Sequence, residues 1–180
     1  MKEEAHELSE HAEHARDDSS LAPVSLTMAI LAVCVAAVSL LGHRAHTEEL
    51  LLQNRASDQW AYYQAKNIRR HTYEFLLDFL AAGGNPGDAR AAAVREKYKK
   101  EVERYKEEQK EIEAEAKNFE AETGRERKKA DRFDLGEGIL EVALVISSIT
   151  LMTRRRIYWF LGMVLGVLGL AVAASGLLVR

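Results

Sequence analysis

The sequence predicts an all-α membrane protein with three transmembrane helices and an antiparallel coiled-coil helical hairpin between the first and the second. Two observations predict this class. Apolar residues make up 47% of the 180 residues and charged residues 29%, yet the apolar ones are concentrated in three blocks. The chain has only 2 prolines and 11 glycines, which argues against a β-rich chain. An ordinary soluble globule, whose apolar residues would recur periodically along the chain, is therefore excluded.

The three apolar blocks have the lengths of transmembrane helices. They cover residues 21–42, 135–152 and 157–179, and a bilayer core of about 30 Å needs about 20 helical residues. Pro23 is expected at the start of the first helix. Residues 1–20 form an acidic tail that contains histidines, unlike the basic start of a signal peptide. We therefore expect the first block to remain as an uncleaved membrane helix.

The short link between the second and third blocks bears on orientation. Arg154, Arg155 and Arg156 lie in this link, and short arginine-rich loops stay in the cytoplasm. This predicts a cytoplasmic arginine loop and an external hairpin. Arg44 and the basic run at residues 125–132 favour the opposite orientation.

Residues 43–134 are expected to form the hairpin, with its turn at residues 83–87. The turn sequence is Gly83-Gly84-Asn85-Pro86-Gly87, in which Asn85 can cap the second arm and Pro86 can begin it. Gly124 is expected to bend or break the second arm. Because both arms are rooted in membrane segments, a hairpin is the simplest geometry.

Each arm carries a row of residues that step alternately by four and three, which is the rhythm of a coiled-coil seam. In the second arm the row is Tyr98, Val102, Tyr105, Gln109, Ile112, Ala116 and Phe119. In the first arm the predicted row is Ala61, Ala65, Ile68, Thr72, Phe75 and Phe79.

A polar and aromatic set near the start of the first arm is predicted to form a buried network that fixes the hairpin register. Its members are Asp58, Gln59, Trp60, Tyr63 and Gln64, with Tyr62, Lys66 and Asn67 beside them. Asp58 is expected on the seam. The alternative is a ligand or peptide site between the arms. Trp60, Tyr62 and Tyr63 lie on more than one face, and this surplus of apolar faces predicts a homo-oligomer.

Two features of the membrane helices are candidates for function. Glu137 and Glu141 share one face of the second helix, and in an oligomer such carboxylates could form acidic rings in an ion pathway. Alternatively, Glu137 lies among lipid headgroups and Glu141 is a neutral acid bonded to a neighbouring helix. Small residues allow close helix packing in the third helix, with another copy or the first helix as partner. They are Gly162, Gly166, Gly169 and Ala173.

Other chemistry has little support. His11 and His14 are weak candidates for a metal site on the tail, and a solvated tail is the default. The net charge of −3 argues against nucleic-acid binding. The sequence has no phosphate loop, catalytic triad or zinc spacing, so neither a cofactor nor enzyme activity is expected. Cys34 is the only cysteine and is expected to act as a small apolar residue in its helix.

Several segments together resemble the bacterial domain-of-unknown-function family 4337. The resemblance rests on four stretches: Gly42 to Glu49, Asp58 to Lys66 (sequence DQWAYYQAK), Phe133 to Glu137, and Leu151 to Arg156. It covers nearly the whole chain and implies a multi-pass protein of the bacterial inner membrane. It implies no activity.

The expected function is a non-enzymatic membrane assembly or scaffold. Copies would associate through the hairpin and the membrane helices. One alternative is an oligomeric cation channel or transporter with an acidic ring at Glu141. A weaker alternative is a membrane-anchored adaptor or sensor whose hairpin binds another protein.

Overall fold

The computed structural model consists of three helices, α1 (Lys2–Gly83), α2 (Ala89–Thr153) and α3 (Arg156–Gly176). It describes the backbone of residues 2–83 and 89–179, and the side chains of residues 21–83 and 89–179. No strand occurs in these ranges, which confirms the all-α class. Of the predicted turn, residues 84–87 lie outside the described residues, and Gly83 is the last residue of α1.

The expectations that Pro23 begins a helix and that Gly124 breaks one are wrong. Pro23 lies inside α1, and α2 continues through Gly124 without a break. A single glycine costs a helix about 1 kcal/mol relative to alanine. The residues around Gly124 are rich in glutamate, lysine and arginine, which favour the helix enough to carry it through this position.

All three helices contain a segment long and apolar enough to cross a membrane. The third predicted segment, 157–179, ends as a helix at Gly176, where Leu177 caps the last turn. The first and second segments are parts of longer helices, since α1 and α2 extend beyond the predicted blocks. The chain divides into two compact units. We call residues 1–46 with 125–180 the apolar unit, and residues 47–124 the charged unit.

In the apolar unit, the core is built from residues that recur every seven positions on α1. Val24, Leu31, Val38 and Ala45 are buried. The last three of these share one core cluster with residues of the other two helices, namely Ala130, Phe133, Leu140, Ala143 and Ala173. A seven-residue repeat keeps one face of a helix against its neighbours over several turns.

In the charged unit, the row predicted on α2 faces the core. Five of its members are buried and the end members Tyr98 and Phe119 are half-buried. The buried members are Val102, Tyr105, Gln109, Ile112 and Ala116.

The row predicted on α1 is wrong, because all six of its members are exposed. A row of buried or half-buried residues on α1 follows the same rhythm in another phase: Leu52, Ala56, Gln59, Tyr63, Lys66, Arg70, Tyr73, Leu77 and Leu80. Further half-buried residues lie beside this row, namely Trp60, Asn67, Glu74 and Leu76. A search for apolar residues misses this row, since lysine, arginine and tyrosine can bury their apolar stems while their polar ends stay accessible.

In the charged unit, residues further along α1 contact residues that come earlier in α2. Trp60 donates a hydrogen bond to Glu120, and Lys66 donates one to Glu108. The ring of Tyr73 lies 5.3 Å from that of Tyr98, centroid to centroid. Near the end of α1, Arg95 donates a hydrogen bond to the carbonyl of Leu80.

Candidate interaction surfaces

An exposed apolar row runs along α1 in the charged unit. We call it the outer stripe, and it consists of the six residues Ala61, Ala65, Ile68, Thr72, Phe75 and Phe79. Its large side chains are about two thirds exposed: Ile68 67%, Phe75 67% and Phe79 66%. The hydroxyl of Thr72 donates to the carbonyl of Ile68, so this residue needs no further partner for its hydroxyl hydrogen. The stripe carries no charge, and such apolar surfaces mark interaction sites.

The polar set predicted to fix the register is brought together only in part. Gln59 donates to Glu115, and Trp60 donates to Glu120 over 2.8 Å. Tyr63 is half-buried and packs edge-on against Trp60, with ring centroids 5.6 Å apart. Asp58 and Gln64 are exposed. The expectation that Asp58 lies on the seam is therefore wrong.

A second polar cluster in this unit lies further along α1. Nζ of Lys66 is 2.6 Å from Oε2 of Glu108 and 5.3 Å from the centroid of the Tyr105 ring. The hydrogen bond to Glu108, assisted by one to Tyr62, raises the pKa of Lys66 above its ordinary value of 10.5, although desolvation opposes the shift. Beside this pair, Gln109 donates to Asn67 over 3.1 Å. This cluster can select one register of α1 against α2, since a slip would separate its charged partners.

Sequence reasoning missed Glu108 and Arg70 as members of this cluster. Arg70 donates to Asn67 over 3.0 Å, and its side chain is mostly covered. The alternating spacing of four and three from Gln59 to Tyr73, which includes Lys66 and Arg70, could have found Arg70. Glu108 lies on α2, outside this spacing.

The small residues of α3 lie in the interior of the apolar unit. Gly162, Gly166, Gly169 and Ala173 are all buried. A Cβ on Gly162 would lie 2.1 Å from Oγ of Ser147, and one on Gly169 would lie 2.9 Å from Cγ of Leu140. Both neighbours belong to α2, which the sequence did not suggest as the partner. Gly166 lies against Leu31 of α1, the helix that the sequence did suggest.

The two carboxylates of the second apolar block differ in their surroundings. Glu137 is half-buried, whereas Glu141 is exposed. Leu140, which precedes Glu141, and Ala143, two residues after it, are fully buried, whereas the adjacent Val142 is exposed like Glu141. Glu141 therefore lies on the face of α2 that points away from the core of its own chain.

The polar groups of this block that do face the core are hydroxyls. Ser147 and Thr150 are fully buried, and their oxygens have no hydrogen-bond partner among the described residues. Near the start of α3, Nε1 of Trp159 donates a hydrogen bond to Oγ1 of Thr27 over 3.1 Å, which joins α3 to α1. Arg154, Arg155 and Arg156 are exposed, and the membrane orientation stays a prediction.

The remaining candidates add no chemistry. The side chains of His11 and His14 lie outside the described residues. Within the described ranges, no three histidine, cysteine, aspartate or glutamate side chains are placed to hold a metal ion. Cys34 is a free, half-buried cysteine packed against the core of the apolar unit.

Two of the stretches that carry the family resemblance meet in the apolar unit. Nε2 of His46 lies 3.0 Å from Oδ2 of Asp134. A Cβ on Gly42 would lie 3.2 Å from Oδ1 of the same aspartate. The segment that follows the first apolar block is thus joined to the segment that precedes the second.

These features define an all-helical chain with three helices long and apolar enough to span a membrane and with an exposed apolar stripe. The model of a domain of unknown function, DUF4337, matches residues 20–179. The chain therefore belongs to this family, as its sequence motifs predicted. No curated protein and no solved structure matches the chain.

Proposed function

We propose that this protein is a non-enzymatic scaffold of the bacterial inner membrane that assembles into a homo-oligomer. Its three apolar segments cross the bilayer, and residues 43–134 form an antiparallel coiled-coil hairpin. The paired contacts between α1 and α2, with rising and falling numbers, support the antiparallel arrangement. The family is a domain of unknown function and provides no activity that could be assigned to this chain. The proposal therefore rests on the surfaces of the chain.

The outer stripe is the observation that carries the proposal. Most of the side-chain surface of Ile68, Phe75 and Phe79 is in contact with water. Burial of this surface would be favourable by about 25 cal/mol per Å². A second helix that covers the stripe would remove this apolar surface from water and so stabilise the complex. A homo-oligomer supplies such a helix without a further partner.

The exposure of Glu141 supports association in the apolar unit as well. A carboxylate that points from a membrane helix into lipid is unfavourable by several kcal/mol. Contact with polar groups of another copy, or with water held between copies, would relieve this penalty.

The mass of the detergent-purified complex tests the proposal. Light scattering, corrected for bound detergent, is expected to give a defined multiple of the 20.2 kDa chain. A monomer across a range of protein concentrations would contradict self-assembly. The exposed stripe would then favour an adaptor whose hairpin binds a different protein.

A cation path past Glu141 is the second candidate function. The outward position of Glu141 means that such a path would run between copies, because the core of each chain presents Leu140 and Ala143 at this level. Ion flux into liposomes that contain the protein is expected to fall about tenfold in Glu141→Gln, which keeps the shape of the side chain but removes its charge.

Glu137→Gln tests the second carboxylate of the hypothesised pathway separately, since Glu137 is half-buried and lies one turn nearer the end of the block. Flux that persists undiminished in Glu141→Gln would exclude the assigned role of this residue. If the unaltered protein conducts no cations, the channel alternative fails and the scaffold remains.

The cytoplasmic arginine loop and external hairpin are also part of the proposal. Reporter fusions within the hairpin, at the exposed residue Glu107 for example, distinguish the two orientations. A periplasmic signal is expected from the positive-inside rule. A cytoplasmic signal would reverse the orientation.

A further inference from the structure

We propose that two copies pair through α1 in a parallel, in-register coiled coil, with the outer stripe of one copy against the outer stripe of the other. This inference rests on the proposed homo-oligomer and specifies the surface, the direction and the register of its contact. The occupant of the stripe is thus a second copy of this chain.

The outer stripe has the complete rhythm of a coiled-coil seam. From Ala61 to Phe79 its six members step by four, three, four, three and four. The row that faces α2 is a separate one, so α1 carries two seams and the described residues cover only one of them. A row with this repeat matches another helix, because only a helix presents the holes into which such side chains fit.

Membrane insertion determines the direction of pairing. α1 is one continuous helix that contains the first apolar segment and the outer stripe. Copies inserted with the same orientation have their α1 helices running in the same direction relative to the bilayer. Two outer stripes that meet are then parallel, and each residue faces its own equivalent.

Size and charge are compatible with this register. Ala61 and Ala65 would face alanines, which permits close approach, and Phe75 and Phe79 would face phenylalanines. In a parallel coil, flanking residues pair five positions apart. This places Gln64 opposite Arg69 of the second copy, which is not a like-charge pair. Asp58, three residues before Ala61 in the same rhythm, would face its own equivalent, so the proposed contact begins at Ala61.

The area of the outer stripe is too small to hold two copies together in solution. Three large side chains at about two thirds exposure offer roughly 400 Å² per copy, about half of what a stable interface buries on each partner. The stripe alone would therefore associate weakly. Confinement of both copies to one membrane raises their effective concentration and favours the pair without new contacts.

Cysteine cross-linking of the full chain in membranes tests the proposal. In a Cys34→Ser background, single cysteines replace Ala65 and Thr72 on the outer stripe, and Glu111 on α2 serves as the exposed control. Disulfides need Cα atoms about 4.4–6.8 Å apart, which self-facing seam positions provide. Ala65→Cys and Thr72→Cys are expected to form dimers about tenfold faster than Glu111→Cys.

Equal or faster cross-linking at Glu111→Cys would overturn the proposed surface. Coexpressed chains carrying Ala61→Cys and Phe79→Cys test the direction, since cross-linking between these two positions would mean an antiparallel pair and would overturn the parallel register. As a second variant, Phe75→Ser is expected to slow cross-linking at Ala65→Cys without loss of helix content, because Phe75 is exposed within its own chain.

Light scattering on the same variants separates this inference from the proposed function. A multimer whose cysteines cross-link only away from the stripe would retain self-assembly and overturn the α1 pairing. A monomer without cross-links would overturn both.

Discussion

His46 and Asp134 join α1 to α2 through a contact of 3.0 Å between Nε2 and Oδ2. The two residues lie 88 positions apart in the chain, at the two ends of the segment between the first and second apolar blocks. They belong to two of the stretches by which the sequence resembles its family. A contact between such distant stretches shows how α1 and α2 are aligned within the apolar unit.

A double-mutant cycle measures this contact. His46→Ala and Asp134→Ala are each expected to lower the free energy of unfolding, with a coupling of about 0.2–1 kcal/mol, because both side chains are about half exposed. Denaturant unfolding of the full chain in detergent gives the four values. Strictly additive effects of the two substitutions would mean that the contact contributes nothing to stability.

Substitution of Gly162 tests the packing of α3 on α2. Gly162→Ala places a Cβ 2.1 Å from Oγ of Ser147 and 2.9 Å from the carbonyl oxygen of Ala143, and the backbone must shift to relieve the second contact. We expect a loss of about 1–3 kcal/mol in the free energy of unfolding.

Gly138→Ala is the matched control in a neighbouring helix. A Cβ there meets no atom within 4 Å among the described residues. Alanine favours the helix over glycine, so stability is expected to stay the same or rise. If Gly162→Ala behaves like Gly138→Ala, the close approach of α3 to α2 is wrong.

Two isoleucines of the charged unit distinguish the seam from the outer stripe. Ile112 is 6% exposed and Ile68 is 67% exposed. Ile112→Ala is expected to destabilise the folded chain by about 2–4 kcal/mol, since it opens a cavity. Ile68→Ala is expected to leave that stability within about 0.5 kcal/mol but to reduce oligomerisation.

Thermal unfolding followed by circular dichroism measures the stability of the folded chain. Light scattering on the same samples measures oligomerisation. If Ile68→Ala destabilises the folded chain by as much as Ile112→Ala, the row predicted on α1 from the sequence would face α2 after all.

Alkaline pH is expected to weaken the charged unit through Lys66. Its pKa is raised in the folded state, chiefly by the hydrogen bond to Glu108. A raised pKa means that the pair stabilises the fold fully below the ordinary pKa of 10.5 and that this stabilisation is lost as pH rises through the folded-state pKa.

Lys66→Met isolates this effect from those of Lys110 and Lys117, whose pKa values are also raised by neighbouring glutamates. Unfolding followed between about pH 9 and pH 12 should show a smaller fall in stability for Lys66→Met than for the unaltered chain. Identical pH profiles would show that Lys66 gains no stabilisation from Glu108.

Much of the fold follows from the sequence because the signals are local and strong. The apolar blocks are long and nearly free of charge, and α2 has only one row with an apolar heptad rhythm, from Tyr98 to Phe119. That row could be predicted because its positions hold aromatic or aliphatic side chains and the faces beside it hold glutamate and lysine.

The helical class, the three apolar segments and the buried face of α2 follow from the order of the residues in the chain. Which of the two rows on α1 contacts α2 depends on how the two helices pack. Ile68 and Phe75 are the more apolar choice, but Lys66 and Tyr73 make specific contacts with Glu108 and with the tyrosines of α2. A helix alone cannot distinguish two rows with the same rhythm, because the distinction lies in the partner surface and appears only when the two helices pack.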